Sequence, residues 1–102
     1  MQDTAHDIDM VVGSLCVRLL VRGSGSLKDK RQVVRSIKDR MRGAFNVSVA
    51  EVGALDHLQL IILGFSTVGN ETGHVRGSLE KIVSALRVHP IAEYIDSEIE
   101  VY

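Results

Sequence analysis

Residues 26–52 have the sequence SLKDKRQVVRSIKDRMRGAFNVSVAEV, and this stretch decides the fold. Its first part predicts an amphipathic helix over residues 27–43, because apolar residues recur at helical spacing. Its second part, residues 45–54, is rich in valine and predicts a strand that follows the helix directly. The apolar residues of the helix are Leu27, Val33, Val34, Ile37 and Met41.

Both ends of the predicted helix carry capping residues. Ser26 is a good N-cap, and Asp29 places a negative charge in the first turn, where the helix dipole favours it. Gly43 is the predicted C-terminal stop.

The rest of the chain predicts three more strands and one more helix. Strands are expected at residues 10–21, 58–68 and 94–101, and a helix at residues 71–87 with Asn70 as its N-cap. The order is therefore β-α-β-β-α-β, and each helix has one apolar stripe. We predict an α+β ferredoxin-like plait: a four-stranded antiparallel sheet in the order 4-1-3-2, with both helices on one face.

Two details of the strands are also predicted. The apolar parity of the second strand shifts between Val49 and Val52, which indicates a β-bulge. Along the last strand, period two separates two sets of side chains. Ile95, Ile99 and Val101 point one way, and Tyr94, Asp96, Glu98, Glu100 and Tyr102 point the other.

Length and composition indicate one globular domain. The chain has 102 residues, of which 45% are hydrophobic and 25% charged. Residues 10–102 are predicted to form the domain, and residues 1–9 a flexible acidic tail. The single Cys16 excludes an internal disulfide, and the apolar run at residues 60–63 is too short to span a bilayer. No secretory signal is present, so a cytoplasmic location is expected.

Three segments resemble a known family: residues 26–31 (SLKDKR), 45–52 (FNVSVAEV) and 99–101 (IEV). From residue 10 to the end the chain resembles the YlxP-like family, small bacterial proteins long classed as a domain of unknown function. The resemblance implies the same plait. It also implies a bacterial cytosolic setting, since such genes often lie among those for transcription and translation factors. It implies no activity.

The sequence departs from the family pattern around the turn between the second and third strands. Relatives tend to carry Trp, Gln and Arg shortly after a turn aspartate. Here Asp56 and Gln59 are kept, but Leu58 and Leu60 stand at the places of the aromatic residue and the Arg. Gly25 stands where a basic residue often precedes the capping serine. Sites built from those positions do not carry over.

Positive charge is concentrated on the first helix. Seven of the twelve Lys and Arg residues lie there with two Asp, so the helix carries +5 in a chain of net charge −1. Such a helix predicts salt-dependent contacts with RNA phosphates. The alternative is a solvated face that keeps the domain soluble. The candidate phosphate-binding residues are Lys28, Lys30, Arg31, Arg35, Lys38 and Arg42.

The loop before this helix is a second candidate site. Arg22, Gly23, Gly25 and Ser26 are candidates for cradling an anion, since glycines let backbone N–H groups approach a phosphate at a helix N-terminus. Acylphosphatases share the plait and bind phosphate in this loop, but their fuller glycine-and-arginine signature is not reproduced. A flexible connection is the alternative, and no catalytic residue is predicted.

The sequence does not predict base stacking on the sheet, and it does not predict a metal or cofactor site. Residues 59–68 lack the basic and aromatic pattern with which RRM domains stack RNA bases. His6, His57, His74 and His89 show no pair at ligand spacing, so neither a metal nor a cofactor is predicted. Val12 and Leu20 are apolar on the side of the first strand away from the helices. That face favours a homodimer formed through the sheet.

These observations predict a non-enzymatic module that binds structured RNA or a ribosomal particle through its first helix, without contact with a membrane. The alternatives are a protein-interaction or dimerisation module with no nucleic-acid role, and an acylphosphatase-like anion-binding enzyme.

Overall fold

The chain folds in the predicted order β-α-β-β-α-β. The computed structural model describes residues 7–102, and the first six residues of the predicted tail lie outside this described part. The elements are β1 Val11–Leu20, α1 Leu27–Ala44, β2 Ser48–Gly53, β3 Leu60–Gly69, α2 Thr72–Arg87 and β4 Glu93–Val101.

The four strands form one antiparallel sheet in the order β2-β3-β1-β4. This order confirms the predicted ferredoxin-like plait, with β2 and β4 at the edges. Both helices cover the same face of the sheet. Each helix forms the crossover between two strands of this sheet, and each has only one apolar stripe to bury. α1 packs beside the β2 edge, and α2 packs over β1 and β4.

The core lies between the sheet and the two helices. Leu15, Val17 and Leu19 alternate along β1 and are at most 1% exposed. The helices add the predicted apolar stripes, which are Val34, Ile37 and Met41 of α1 and Val75, Leu79, Ile82, Val83 and Leu86 of α2. Full burial of one such side chain stabilises a protein by about 1.5–3 kcal/mol, so this layer holds α1 firmly against the sheet.

Gly13 allows α2 to approach β1 closely. A Cβ atom at this position would lie 2.6 Å from Cγ1 of Val75 and 2.9 Å from Cδ1 of Leu79. Atoms in a close-packed core do not approach so near without displacement. The close packing of α2 on β1 therefore requires glycine at position 13.

The helix ends confirm one predicted cap and correct two other boundaries. The Ser26 hydroxyl accepts the N–H of Asp29 at 3.1 Å, as predicted. α1 runs one residue past Gly43, because the Phe45 N–H still bonds to the Met41 carbonyl. The cap of α2 is Glu71 and not Asn70.

Glu71 takes the cap position through its carboxylate. The two oxygens accept the N–H groups of Gly73 at 3.0 Å and His74 at 2.7 Å. These hydrogen bonds favour the charged form and lower the pKa of Glu71. A longer acidic side chain one residue later thus satisfies the first turn of the helix.

Bulges interrupt both edge strands. The pairing of β2 with β3 shifts register between Glu51 and Gly53, which confirms the predicted bulge. β4 contains a second shift, because Arg18 pairs with Asp96 but Leu19 pairs with Tyr94.

The bulge in β4 overturns the predicted faces at the start of that strand. Tyr94 is half-buried and packs against the core, whereas Ile95 is 42% exposed. The prediction of strict alternation was wrong here, since one extra residue reverses the direction of every side chain before it.

Candidate nucleic-acid interface

The cations of α1 lie mainly on its outer side. Lys28, Arg31, Arg35 and Arg42 are exposed, and Lys38 is half-buried. Four of the predicted phosphate-binding residues, at positions 31, 35, 38 and 42, are separated by four, three and four residues. Such spacing places them on one side of a helix.

These four cations line a groove between α1 and the β2 edge. The groove has a volume of about 430 Å³ and is open to solvent. Its lining residues are Arg31, Val34, Arg35, Lys38, Asp39, Arg42 and Glu51. We call it the cationic groove.

Most of the positive charge in the cationic groove is not neutralised by the protein. Arg42 forms an ion pair with Asp39 at 3.1 Å, one turn away on α1. Glu51 forms its ion pair with Lys30. Among residues 7–102, Arg31, Arg35 and Lys38 have no carboxylate within ion-pair distance. The groove therefore attracts anions.

Lys30 is not a surface cation, which corrects its place among the predicted phosphate-binding residues. The residue is 0% exposed. Its Nζ donates a hydrogen bond to the carbonyl oxygen of Ala54 at 2.6 Å and lies 2.9 Å from Oε2 of Glu51. The Glu51 contact is electrostatic, since Oε2 accepts no hydrogen bond within the described part of the chain.

The burial of Lys30 has a cause that is visible in the sequence. Lys30 stands four residues before Val34, on the same side of α1 as Ile37 and Met41, and that side faces the sheet. A buried lysine needs a charge partner, and Glu51 of the next strand supplies one. The stripe spacing was the signal that sequence reasoning missed.

The β2–β3 turn contacts α1 at Lys30, the residue before the first cation of the cationic groove. Lys30 is adjacent to Arg31 in α1, and its bond to Ala54 ties this turn to the first turns of the helix. Ala54 has a φ of 53°, in the left-handed region that costs a residue with a side chain free energy. Its carbonyl oxygen also accepts the N–H of His57 at 2.9 Å. Sequence reasoning did not find this arrangement.

Arg22 of the predicted anion loop is engaged elsewhere. Its Nε donates to Oε2 of Glu93 in β4 at 2.7 Å, and this contact lowers the pKa of Glu93. The Ser26 hydroxyl is used as the cap of α1. Gly23 and Gly25 do not have positive φ values. The loop thus holds its arginine at the β4 edge, away from the backbone that was predicted to cradle an anion.

The open face of the sheet contains a shallow groove of about 410 Å³. Small side chains from the three neighbouring strands β2, β3 and β1 line it, with Glu98 and Glu100 at the β4 side. The small residues are Ser14, Cys16, Ser48, Ala50, Gly64 and Ser66. Phe65 is 2% exposed and belongs to the core. The open face thus differs from an RRM surface, where strand aromatics carry the bases.

No helix in residues 7–102 is both long and apolar enough to cross a membrane. Within the same residues, no three His, Cys, Asp or Glu side chains are grouped so that they would hold a metal ion.

Comparison with known proteins identifies the family. The protein named "Uncharacterized protein YlxP" of Bacillus subtilis (strain 168) is 28% identical over 83 residues, which are 81% of this chain and 90% of the relative. Residues 12–99 match the family described as "Protein of unknown function (DUF503)", and this match includes α1, β2 and the turn that joins β2 to β3. The chain therefore belongs to the DUF503 family, as the YlxP-like resemblance predicted.

Proposed function

We propose that this protein is a non-enzymatic, cytoplasmic module that binds structured RNA, free or in a ribosomal particle, through the cationic groove. The observation that carries the proposal is the row of Arg31, Arg35 and Lys38, which lack a carboxylate partner within residues 7–102. Cations that already have partners release few counterions on binding, whereas unpaired ones contribute fully to phosphate affinity.

The length of the row supports contact with several consecutive phosphates. Residues 31 to 42 span roughly 16 Å along the helix axis, at a rise of about 1.5 Å per residue. The row follows one side of α1, beside the groove and not around the helix. A backbone that lies along the groove would meet about three to four cations in sequence.

The distribution of charge would orient the molecule on RNA. The open face carries Glu98 and Glu100, neither of which has a cationic partner among residues 7–102. Phosphates repel that face and attract the cationic groove. Recognition through the groove alone would then follow the RNA backbone and shape and not the base sequence.

Charge reversal in the groove tests the proposal. R31E/R35E/K38E should abolish RNA binding without unfolding the protein, because the three side chains lie off the buried stripe of α1. Fluorescence anisotropy at low salt measures the affinity, and circular dichroism checks the fold. In the parent protein, contact with three to four phosphates predicts a log–log salt slope of roughly −2 to −3.5.

A matched pair of double variants separates local from global charge. R35E/K38E changes the groove, and R76E/K81E makes the same change of net charge on exposed positions of α2. The first should weaken binding far more than the second. Equal losses, or no RNA binding by the parent at low salt, would refute the proposal.

Self-association through the open face is a second candidate function. Val12, Val52 and Val68 are 36%, 57% and 55% exposed, so this face presents apolar side chains beside the shallow groove. A homodimer would cover them. Sedimentation equilibrium at high micromolar concentration tests it: V12D/V68D should turn a dimer into a monomer, and a parent that is already monomeric would exclude the dimer.

A further inference from the structure

The turn between β2 and β3 lies beside the first turns of α1, next to Arg31 at one end of the cationic groove. We call residues 54–59 the hairpin tip. Lys30 connects the two, because it precedes Arg31 in α1 and its Nζ bonds to the carbonyl oxygen of Ala54. An RNA strand that leaves the groove past Arg31 would reach the hairpin tip next.

Hydrogen bonds hold the hairpin tip in one conformation. The Nδ1 atom of His57 accepts the N–H of Gln59 at 3.1 Å and the N–H of Leu60 at 2.9 Å. The amide of Gln59 donates to the carbonyl oxygen of Arg22 at 2.9 Å, which ties the tip to the neighbouring loop. A surface that is already ordered loses little conformational entropy on binding, and this favours affinity.

The hairpin tip presents an aromatic ring and two leucines, together with Asp56. His57 is exposed, Leu55 is 55% exposed and Leu58 is 44% exposed. Because Nδ1 of His57 accepts two backbone N–H groups, Nε2 is the ring nitrogen left to donate to a ligand. A flat ring with a donor and apolar neighbours matches a nucleobase, which offers a π-face and an edge of acceptors. Histidine is among the side chains on which unstacked RNA bases stack, and leucine is among those inserted between base steps.

We propose that the hairpin tip binds one unpaired nucleobase of an RNA whose backbone lies in the cationic groove. This inference rests on the proposed function and names its ligand more closely: a folded RNA with an unpaired nucleotide, such as a bulge, and not a plain duplex. The paired bases of an A-form duplex are not available for stacking, whereas an unpaired base turns outward at little cost.

A second histidine shows what a purely structural role looks like. Nδ1 of His89 also accepts two backbone N–H groups, from Ile91 at 3.2 Å and Ala92 at 2.9 Å, at the turn before β4. The neighbouring Arg87 is stacked on the Tyr94 ring, with 4.4 Å from the guanidinium carbon to the ring centroid. Within residues 7–102 the His89 turn has no hydrogen bond to α1, whereas the hairpin tip is bonded to Lys30 of that helix. His89 is therefore the natural control for His57.

The test compares two RNAs that differ by one nucleotide. One is a perfect duplex, and the other is the same duplex with a single bulged base. Fluorescence anisotropy at low salt should show that the parent binds the bulged RNA about tenfold more tightly than the duplex. That preference lies near the lower end of the free energy gained when a base stacks on an aromatic side chain. H57N keeps an acceptor for the two backbone N–H groups but removes the ring, and it should reduce the preference to less than about threefold while duplex affinity stays unchanged. H89N should change neither quantity.

L55S/L58S provides a second variant that leaves His57 and its hydrogen bonds in place. It should also reduce the preference for the bulged RNA. An equal affinity of the parent for both RNAs, while R31E/R35E/K38E still abolishes binding, would refute the base site and leave the proposed function standing. Absence of binding to either RNA would refute both. If tip variants keep the preference but no longer co-sediment with ribosomal particles, the tip contacts protein and the assignment to a base is wrong.

Discussion

The two edges of the sheet both carry ion pairs, but of opposite kinds. At the β2 edge, Lys30 pairs with Glu51, and their side chains are 1% and 14% exposed. The ammonium group also bonds to the carbonyl oxygen of Ala54. This pair is inside the protein and connects α1, β2 and the hairpin tip.

At the β4 edge the pairs lie in water. Arg18 of β1 pairs with Asp96, and Arg22 pairs with Glu93, with about half or more of each side chain exposed. Solvent screens such pairs, and they add little to stability. A buried pair that loses one member leaves an uncompensated charge, which is costly. The β2 edge is therefore structurally constrained, and the β4 edge tolerates change.

Removal of the buried ammonium should have the largest effect. We expect Lys30→Ala to lower the free energy of unfolding by about 3–5 kcal/mol, because the Glu51 carboxylate then stays buried without a cation. That is a large part of the roughly 5–15 kcal/mol that stabilises a typical domain. Urea denaturation measures it, with the adjacent exposed Arg31→Ala as the control, expected to change stability by less than about 0.5 kcal/mol. Similar losses of stability in the two variants would show that the buried ion pair of Lys30 does not contribute more than an exposed side chain.

A double-mutant cycle should separate the two edges next. Lys30→Met alone leaves the Glu51 carboxylate buried without a cation. Adding Glu51→Gln removes that charge, so the double variant should regain part of the lost free energy of unfolding. We expect a coupling of about 2 kcal/mol, as for residues in direct contact. The matching cycle on the exposed pair, Arg18→Ala with Asp96→Ala, should show a coupling that cannot be distinguished from zero. A larger coupling at the β4 edge would reverse the comparison.

The smallest expected effect is a change in acid stability from the β4 edge. Hydrogen bonds from Arg22 and Arg18 lower the pKa values of Glu93 and Asp96. Carboxyl groups with lowered pKa values stabilise the fold above their unfolded-state pKa values of roughly 3.9 to 4.3, and this contribution disappears as pH falls below them. E93Q/D96N should therefore show a slightly flatter loss of stability on acidification, measured by urea unfolding at successive pH values. A steeper loss in the variant would contradict this sign.

The candidate site was predictable only in part. The density of cations on α1 is a property of the sequence, and Arg31, Arg35, Lys38 and Arg42 were all predicted. The groove that collects them was not, because it exists only where β2 lies beside α1. Lys30 was placed on the wrong side, since its charge was given more weight than its position in the apolar stripe.

The structure of the hairpin tip could not be predicted from neighbouring residues alone. Asp56 and Gln59 were noted as family residues, but neither their contacts nor the left-handed Ala54 follows from residue types. The partners of the tip, Lys30 and Arg22, stand 24 and 37 residues away in the chain from the groups they meet. Contacts over such separations depend on how whole elements pack.

The plait itself follows from the order of residues along the chain. Periods of 3.6 and 2, the Ser26 cap and the parity shift in β2 are properties of neighbouring residues, so each could be predicted before any packing was known. Burial of Lys30, the bulge that turns Tyr94 inward and the contact of α1 with the hairpin tip arise differently. In each of these, alternatives of nearly equal local energy are resolved by contacts between distant elements, and those contacts exist only in the folded chain.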